Sequence, residues 1–103
     1  MPYYETVFIA RQDLTDAQVK KMTGDFEKII TDNKGKVHKT EFWGVRSFAY
    51  RINKARKGHY VLLETDTPAS AVHEMERQMR LHEDVVRYLT IREDELSQGP
   101  SVM

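Results

Sequence analysis

The 103-residue chain is long enough for one domain with a modest hydrophobic core. It contains no cysteine, which excludes disulfide bonds, thiolate metal sites and a cysteine nucleophile. Its first residues lack the basic and then apolar run of a signal peptide, and no apolar segment approaches the length of a membrane span. We therefore expect a soluble, cytoplasmic protein without a membrane partner.

The formal net charge is zero, but the charges are distributed unevenly along the chain. Residues 34–57 contain eight lysines and arginines and one acid, Glu41, so this segment carries a net charge of +7. The rest of the chain carries −7. Clustered cations of this kind favour contact with a polyanion, while the acidic remainder keeps the protein soluble.

The first two predicted elements are a strand and a helix. Residues 3–11 are rich in aromatic and β-branched residues, and apolar residues occur on both faces of the predicted strand. Thr15 and Gln18 form a capping box that begins a helix, and residues 33–35 end it. Gly24 is expected to let the helix backbone pack closely on the sheet. The predicted buried stripe of this helix is Val19, Met22, Phe26, Ile29 and Ile30.

Residues 36–52 are extended but interrupted at Gly44. This glycine is either a turn between two strands or a bulge within one bent strand. We favour the bulge, because Gly44 lacks the Asn-Gly or Asp-Gly pair of a tight hairpin. Residues 53–58 then form a basic hairpin loop, and residues 59–65 form the next strand.

The second helix is predicted to begin with Thr67 as N-cap and Pro68 as the first helical residue. It ends at residues 81–84 without a glycine, and residues 85–92 form the last strand. Its buried stripe, in which the methionines pack in the core, is Ala71, Val72, Met75 and Met79. Residues 1–95 are thus one domain, and residues 96–103 are predicted to be a disordered tail.

The order strand, helix, strand, strand, helix, strand predicts an α+β protein of the ferredoxin-like βαββαβ fold. Its four-stranded antiparallel sheet would carry both helices on one face. The other face would be bare, and, depending on the register, it would expose some of Tyr3, Val7, Ile9, Val61, Leu63, Leu89 and Ile91. A bare apolar face predicts a partner.

The basic loop is the first candidate site. Cations at a hairpin tip either bind RNA phosphates or are simply solvated. A second candidate consists of Arg77, Arg80 and Arg87, which either bind phosphates together or pair with neighbouring acids on the surface. Both alternatives remain open for each site.

The aromatic residues near the basic segment are either platforms for RNA bases or core residues. We favour the core for Phe48 and Tyr60 and leave Trp43 open. The four histidines lack metal-ligand spacing, and the chain has no Gly-rich phosphate loop and no serine in a nucleophile elbow. We therefore expect no metal, no cofactor, no small-molecule substrate and no catalysis.

The segment Trp43-Gly-Val-Arg-Ser-Phe-Ala-Tyr-Arg-Ile-Asn-Lys54 resembles the sixth protein of the bacterial small ribosomal subunit. The resemblance covers nearly the whole chain apart from the tail. The other matching segments are Tyr4-Glu5, Gly35-Lys36-Val37-His38, His59-Tyr60-Val61-Leu62, and Arg80-Leu81-His82 through to Arg87.

This resemblance implies the ferredoxin-like fold and a structural, non-enzymatic role in translation. The family pairs with ribosomal protein eighteen of the small subunit, and the two bind the central domain of small-subunit ribosomal RNA during assembly. We expect RNA contacts at Arg46, Lys54, Arg56, Lys57, Arg80 and Arg87. We expect partner contacts on the bare sheet face at Tyr3, Val7, Ile9, Leu89 and Ile91.

The chain departs from the family pattern at three places. Arg51 stands where many members carry proline, so a free N–H and a charge enter the hairpin. Phe48 stands where leucine is usual, which changes local side-chain volume. The long acidic extension of some relatives is absent, so glutamate addition to the tail is not expected here.

Two other hypotheses fit the same fold. One is a regulatory or homodimerisation domain that uses the bare sheet face and does not bind RNA. The other is a small enzyme, which would need a polar pocket with a titratable pair that the sequence does not supply.

Overall fold

A computed structural model describes the backbone of residues 2–49 and 55–93 and the side chains of residues 2–46 and 57–93. The six predicted elements follow one another in the predicted order. They are β1 (Tyr3–Arg11), α1 (Asp16–Asp32), β2 (Lys36–Ala49), β3 (Ala55–Asp66), α2 (Ala69–Leu81) and β4 (Val85–Glu93). The predicted tail, residues 96–103, and the last two residues of the predicted domain lie outside the described residues.

The four strands form one antiparallel sheet in the order β2-β3-β1-β4. β1 pairs with β3 on one side and with β4 on the other, so β2 and β4 are the edge strands. Residues of both helices share one buried cluster with Phe8 and Leu63, so both helices cover the same face of the sheet. The predicted ferredoxin-like fold is confirmed.

Local hydrogen bonds determine where α1 begins. Gln18 N–H donates to Thr15 Oγ1 at 3.2 Å, and Thr15 N–H donates to Gln18 Oε1 at 2.8 Å. This is the predicted capping box. Because these bonds join residues three positions apart, the sequence alone located this helix start.

The glycines around α1 have different roles from those predicted. Gly24 is exposed, and a Cβ added there would meet no atom within 4 Å, so the prediction of close packing at Gly24 is wrong. Gly35 is the closely packed glycine, since its ideal Cβ would lie 2.6 Å from Thr67 Cβ. The left-handed residue at the helix end is Lys34, with φ 69°.

The long hairpin of β2 and β3 contains the predicted bulge. β2 continues through Gly44, whose φ of 77° suits glycine, and its pairing with β3 shifts between Phe42 and Gly44. β3 begins at Ala55 rather than at residue 59, so the predicted basic loop was too long. Pairing extends as far as Ala49 opposite Ala55, because backbone hydrogen bonds continue the ladder where the apolar pattern stops. Residues 53 and 54 of the predicted loop lie outside the described residues.

α2 begins one residue later than predicted. Pro68 is the N-cap, and it makes no side-chain capping hydrogen bond. Thr67 is buried, and its N–H donates to Pro2 O at 3.1 Å, so a tertiary contact holds it outside the helix. The helix ends at Leu81 without a glycine, as predicted, and buries the predicted Ala71, Val72, Met75 and Met79.

The hydrophobic core lies between the helices and one face of the sheet, which we call the covered face. Phe8 packs edge-to-face on Phe26, with ring centroids 5.2 Å apart. The core cluster consists of Phe8, Ala10, Val19, Met22, Phe26, Ile30, Val61, Leu63, Ala71, Met75 and Met79. The predicted core roles of the methionines are therefore confirmed.

Candidate partner and nucleic-acid interface

The sheet face opposite the helices, which we call the open face, is covered by no element among residues 2–49 and 55–93. Side chains alternate between faces along a strand, so each strand contributes every second residue to it. Cross-strand pairing arranges these residues in rows across the sheet. The open face carries all five predicted partner-binding residues, Tyr3, Val7, Ile9, Leu89 and Ile91. Val61 and Leu63, the other candidates for the bare face, lie in the core cluster on the covered face.

An apolar strip, formed by Val7, Leu62, Leu89 and Ile91, extends across the open face from β3 to the edge strand β4. Leu89 and Ile91 are 56% and 49% exposed. Val7 and Ile9 are buried, because they lie on the central strand between the side chains of β3 and β4. The edge strand β4 therefore supplies most of the apolar surface that a partner can reach.

A cluster of carboxylates lies beside the apolar strip, and sequence reasoning missed it. Glu5 pairs with Glu64, which is 1% exposed. Lys39 Nζ lies 3.5 Å from the Glu64 carboxylate and 3.3 Å from that of Glu41. Burial raises the pKa of Glu5 to about 7, and a hydrogen bond with Glu93 adds to the effect. Burial disfavours the charge of Lys39, but its bonds to Glu41 and Glu64 outweigh this and raise the Lys39 pKa.

The predicted RNA-binding residues are divided between several surfaces. Arg46 and Arg87 are exposed on the open face, on the edge strands β2 and β4, which are three strand spacings or about 14 Å apart. Lys57 is exposed too, but strand alternation assigns it to the other side of the hairpin. The side chain of Arg56 and the whole of Lys54 lie outside the described parts of the chain.

The three arginines near the end of α2 do not form one cluster. Arg77 donates from Nε and Nη2 to the Glu74 carboxylate at 2.7 and 3.1 Å, and this pairing lowers the pKa of Glu74. Arg80 is exposed on α2, which packs on the covered face, whereas Arg87 lies on the open face. Arg77 therefore pairs with a neighbouring acid on the surface, and Arg80 and Arg87 lie on opposite sides of the sheet.

Trp43 lies on the open face at the bulge of β2. Its Nε1 donates to Glu41 Oε1 at 2.8 Å, and its ring stacks nearly parallel to Tyr60, with centroids 6.4 Å apart and planes 9° apart. The Arg46 guanidinium lies over the indole, 5.3 Å from the ring centroid. Tyr60 is partly buried on the open face, so its predicted place in the core is wrong. The side chain of Phe48 lies outside the described parts of the chain.

Neither of the described helices is long and apolar enough to cross a membrane. Among the described residues, no group of three or more histidine and carboxylate side chains is placed to hold a metal ion. His59 is buried, and its Nε2 lies 2.8 Å from Leu14 O, so it joins β3 to the loop before α1.

A family model described as ribosomal protein S6 matches residues 3–92. This chain belongs to the ribosomal protein S6 family. The small ribosomal subunit protein bS6 of Dinoroseobacter shibae is 56% identical over 102 residues, which are 99% of this chain and 87% of the relative. That of Paracoccus denitrificans is 58% identical over 102 residues, covering 99% and 78%. The crystal structure of 30S ribosomal protein S6 from Thermotoga maritima is similar with a TM-score of 0.80, at 29% identity over 89% of this chain and 87% of that one.

Membership of the ribosomal protein S6 family confirms the resemblance and establishes the broad role. The chain is a structural component of the small ribosomal subunit and not an enzyme, which excludes the hypothesis of a small enzyme on this fold. Its predicted location, the small ribosomal subunit in the cytoplasm, is also confirmed by the family. The Thermotoga maritima structure supports the fold independently.

Proposed function

We propose that the protein binds the central domain of small-subunit ribosomal RNA together with ribosomal protein eighteen, during assembly and in the finished subunit. The observation that carries the proposal is an apolar strip on the open face, half exposed at Leu89 and Ile91 and flanked by Arg46 and Arg87. An exposed apolar patch suits a protein partner, and cations beside it suit phosphates. Membership of a ribosomal protein family supports both contacts.

The protein partner is expected on the apolar strip. Leu89 and Ile91 each expose about half of their side chains on β4. Covering Leu89 and Ile91 with a partner would each contribute roughly 1 kcal/mol to the free energy of binding, since full burial of such a side chain contributes about 1.5–3 kcal/mol. Tyr3 lies on the same face and is partly buried already, so it would form the margin of this contact.

RNA is expected at the hairpin of β2 and β3, which lies within the segment of net charge +7. Arg46 and Lys57 are exposed on its two sides, so the hairpin presents cations in both directions. Each phosphate neutralised on single-stranded or duplex RNA releases counterions and steepens the salt dependence of binding. Because one hairpin offers few such contacts, we expect weak RNA binding by this protein alone and tight binding only with its partner.

Affinity for a transcript of the central RNA domain, measured with ribosomal protein eighteen present at several salt concentrations, tests the RNA contact. Replacing Lys54, Arg56 and Lys57 by alanine should weaken binding and make it less dependent on salt. The magnitude of the negative slope of log affinity against log salt should decrease by about 2 if all three contact phosphates.

The matched control removes three charges from the opposite layer of the protein. It replaces the exposed lysines of α1, Lys20, Lys21 and Lys28, by alanine. Equal salt slopes for the two triple variants would contradict the hairpin contact. A stable homodimer without RNA affinity would instead favour the alternative, a homodimerisation domain of the same fold.

The partner contact is tested by replacing Leu89 and Ile91 with serine and measuring affinity for ribosomal protein eighteen. The expected loss is about tenfold or more, because both exposed apolar side chains leave the interface. The control replaces two exposed apolar residues away from the open face, Leu81 and Val45, with serine. If the control variant loses as much affinity, the partner does not bind the apolar strip.

A further inference from the structure

Trp43 is the one tryptophan of the chain, and it lies at the cationic hairpin rather than in the core cluster. We propose that Trp43 and Arg46 bind an unpaired base of the ribosomal RNA, with the base stacked on the indole and the guanidinium on its phosphate. This inference rests on the proposed RNA binding, and it assigns a definite RNA element to one pair of side chains.

Three features hold the indole ready for such a contact. The bulge at Gly44 shifts the register so that Trp43 emerges on the open face. The hydrogen bond from Nε1 to Glu41 fixes the rotation of the ring, and the parallel ring of Tyr60 supports it. A ring held in this way loses little conformational freedom on binding, which favours stacking.

Arg46 covers the indole in the free protein, but weakly. Its side chain is exposed, and its Nε donates to Trp43 O over a long 3.3 Å. A cation over an exposed aromatic ring increases the equilibrium constant for that contact by roughly 2- to 5-fold. A nucleic-acid base stacked on an aromatic side chain increases the binding constant by roughly 5- to 150-fold. Exchange of the guanidinium for a base is therefore favourable, and the displaced arginine gains a charge-assisted bond to phosphate.

The position of Trp43 favours RNA over protein as the occupant. Trp43 lies within the edge strand β2, which forms the hairpin that carries the cations. The half-exposed Leu89 and Ile91 lie on the other edge strand, β4. An unpaired base is expected rather than a duplex, because stacking faces are accessible only where bases are not paired.

Tryptophan fluorescence tests the proposal directly. The protein is mixed with ribosomal protein eighteen and then with the central-domain transcript, and emission is compared with that of the same mixtures containing Trp43→Phe. The difference isolates Trp43 from any tryptophan of the partner. We expect the Trp43 emission to fall by about half or more when RNA is added, and to change little when only the partner is added.

Affinities of variants distinguish stacking from charge. Trp43→Phe should bind RNA within about 3-fold of the wild type, because phenylalanine still stacks. Trp43→Leu should bind roughly 5- to 150-fold more weakly with an unchanged salt slope. Arg46→Ala should retain the quenching of Trp43 by RNA but reduce the magnitude of the salt slope by about 1.

Quenching of Trp43 by the partner protein alone, with no further change on adding RNA, would assign the ring to the protein interface and overturn the proposal. So would RNA binding by the wild type without quenching, or full affinity of Trp43→Leu. These outcomes leave the proposed RNA binding intact. Absence of RNA binding by the wild type would overturn both the proposed RNA binding and the stacking of a base on Trp43. The Phe variant keeps the test valid even if the Leu variant folds poorly.

Discussion

The two faces of the sheet are buried in different ways. On the covered face Phe8 and Leu63 are fully buried against the helices, and the buried His59 is held by Leu14 O of the loop before α1. On the open face Glu64 is almost as deeply buried, whereas Leu89 and Ile91 are half exposed.

Glu64, Leu89 and Ile91 depart from the usual arrangement, in which carboxylates are exposed and large apolar side chains are buried. The covered face is completed by the chain's own helices. The open face retains exposed apolar surface that a second macromolecule can cover, as expected of a component of a larger assembly. Three pairs of substitutions follow in order of decreasing effect; the first and third test this contrast, and the second tests the packing around α1.

Leucine-to-alanine changes on the two faces should differ most. Leu63→Ala should destabilise the isolated protein by about 2–5 kcal/mol, because it leaves a cavity under the helices. Leu89→Ala removes a side chain that is 56% exposed and should cost less than about 1 kcal/mol. Urea unfolding measures both, and similar losses would mean that the open face contributes to stability as a second core.

Glycine-to-alanine changes at α1 should differ in sign. Gly35→Ala should destabilise by about 1–3 kcal/mol, because the new Cβ overlaps the Thr67 and Ile30 side chains beneath the covered face. Gly24→Ala meets no atom within 4 Å and should stabilise by roughly 0.5–1 kcal/mol through helix propensity. Thermal unfolding of the two variants provides the comparison. A neutral Gly35→Ala would mean that the α1–α2 junction relaxes freely.

The carboxylates of the open face should make stability depend on pH. The pKa of Glu5 rises from 4.5 to about 7 through burial and its contacts with Glu93 and Glu64, while Lys39 opposes the rise. Between these pH values the folded protein holds a proton that the unfolded chain has released, so stability falls as pH increases from about 4.5 to 7.

Glu5→Gln removes this titration and keeps the side-chain shape. It should flatten the pH dependence and stabilise the protein at pH 8 by about 1 kcal/mol, a value reduced from the full linkage because Glu5 is partly solvated. Urea unfolding from pH 4.5 to 8 measures the effect, with Asp25→Asn on the exposed side of α1 as the control. An unchanged decline in Glu5→Gln would assign the pH dependence to other groups.

Much of the fold followed from local patterns. The capping box of Thr15 and Gln18, the apolar stripes of both helices and the bulge at Gly44 were all predicted from neighbouring residues. The errors occurred where distant contacts decided the outcome. Thr67 stays outside α2 because it bonds to Pro2, and β3 starts early because β2 continues to pair with it.

The candidate site was predicted only in part. The segment rich in cations and the five partner residues were identified from charge and alternation, and the structure brings those five together on one face. The split between Arg80 and Arg87, the stacking of Trp43 on Tyr60 and the cluster around Glu64 were not predicted. The first depends on which face of the sheet α2 packs against, and the other two depend on which residues face one another across paired strands.

Local sequence patterns were thus sufficient for the type and order of the elements and the location of the positive charge, because propensity, capping and charge are properties of short segments, and the resemblance of the Trp43–Lys54 motif indicated the family. The folded sheet was needed to assign side chains to the covered or the open face. The physical reason is the two-residue period of a strand, by which a bulge or a one-residue shift moves a side chain to the opposite face. At Gly44 such a shift puts Trp43 beside Tyr60 and Arg46 rather than under the helices.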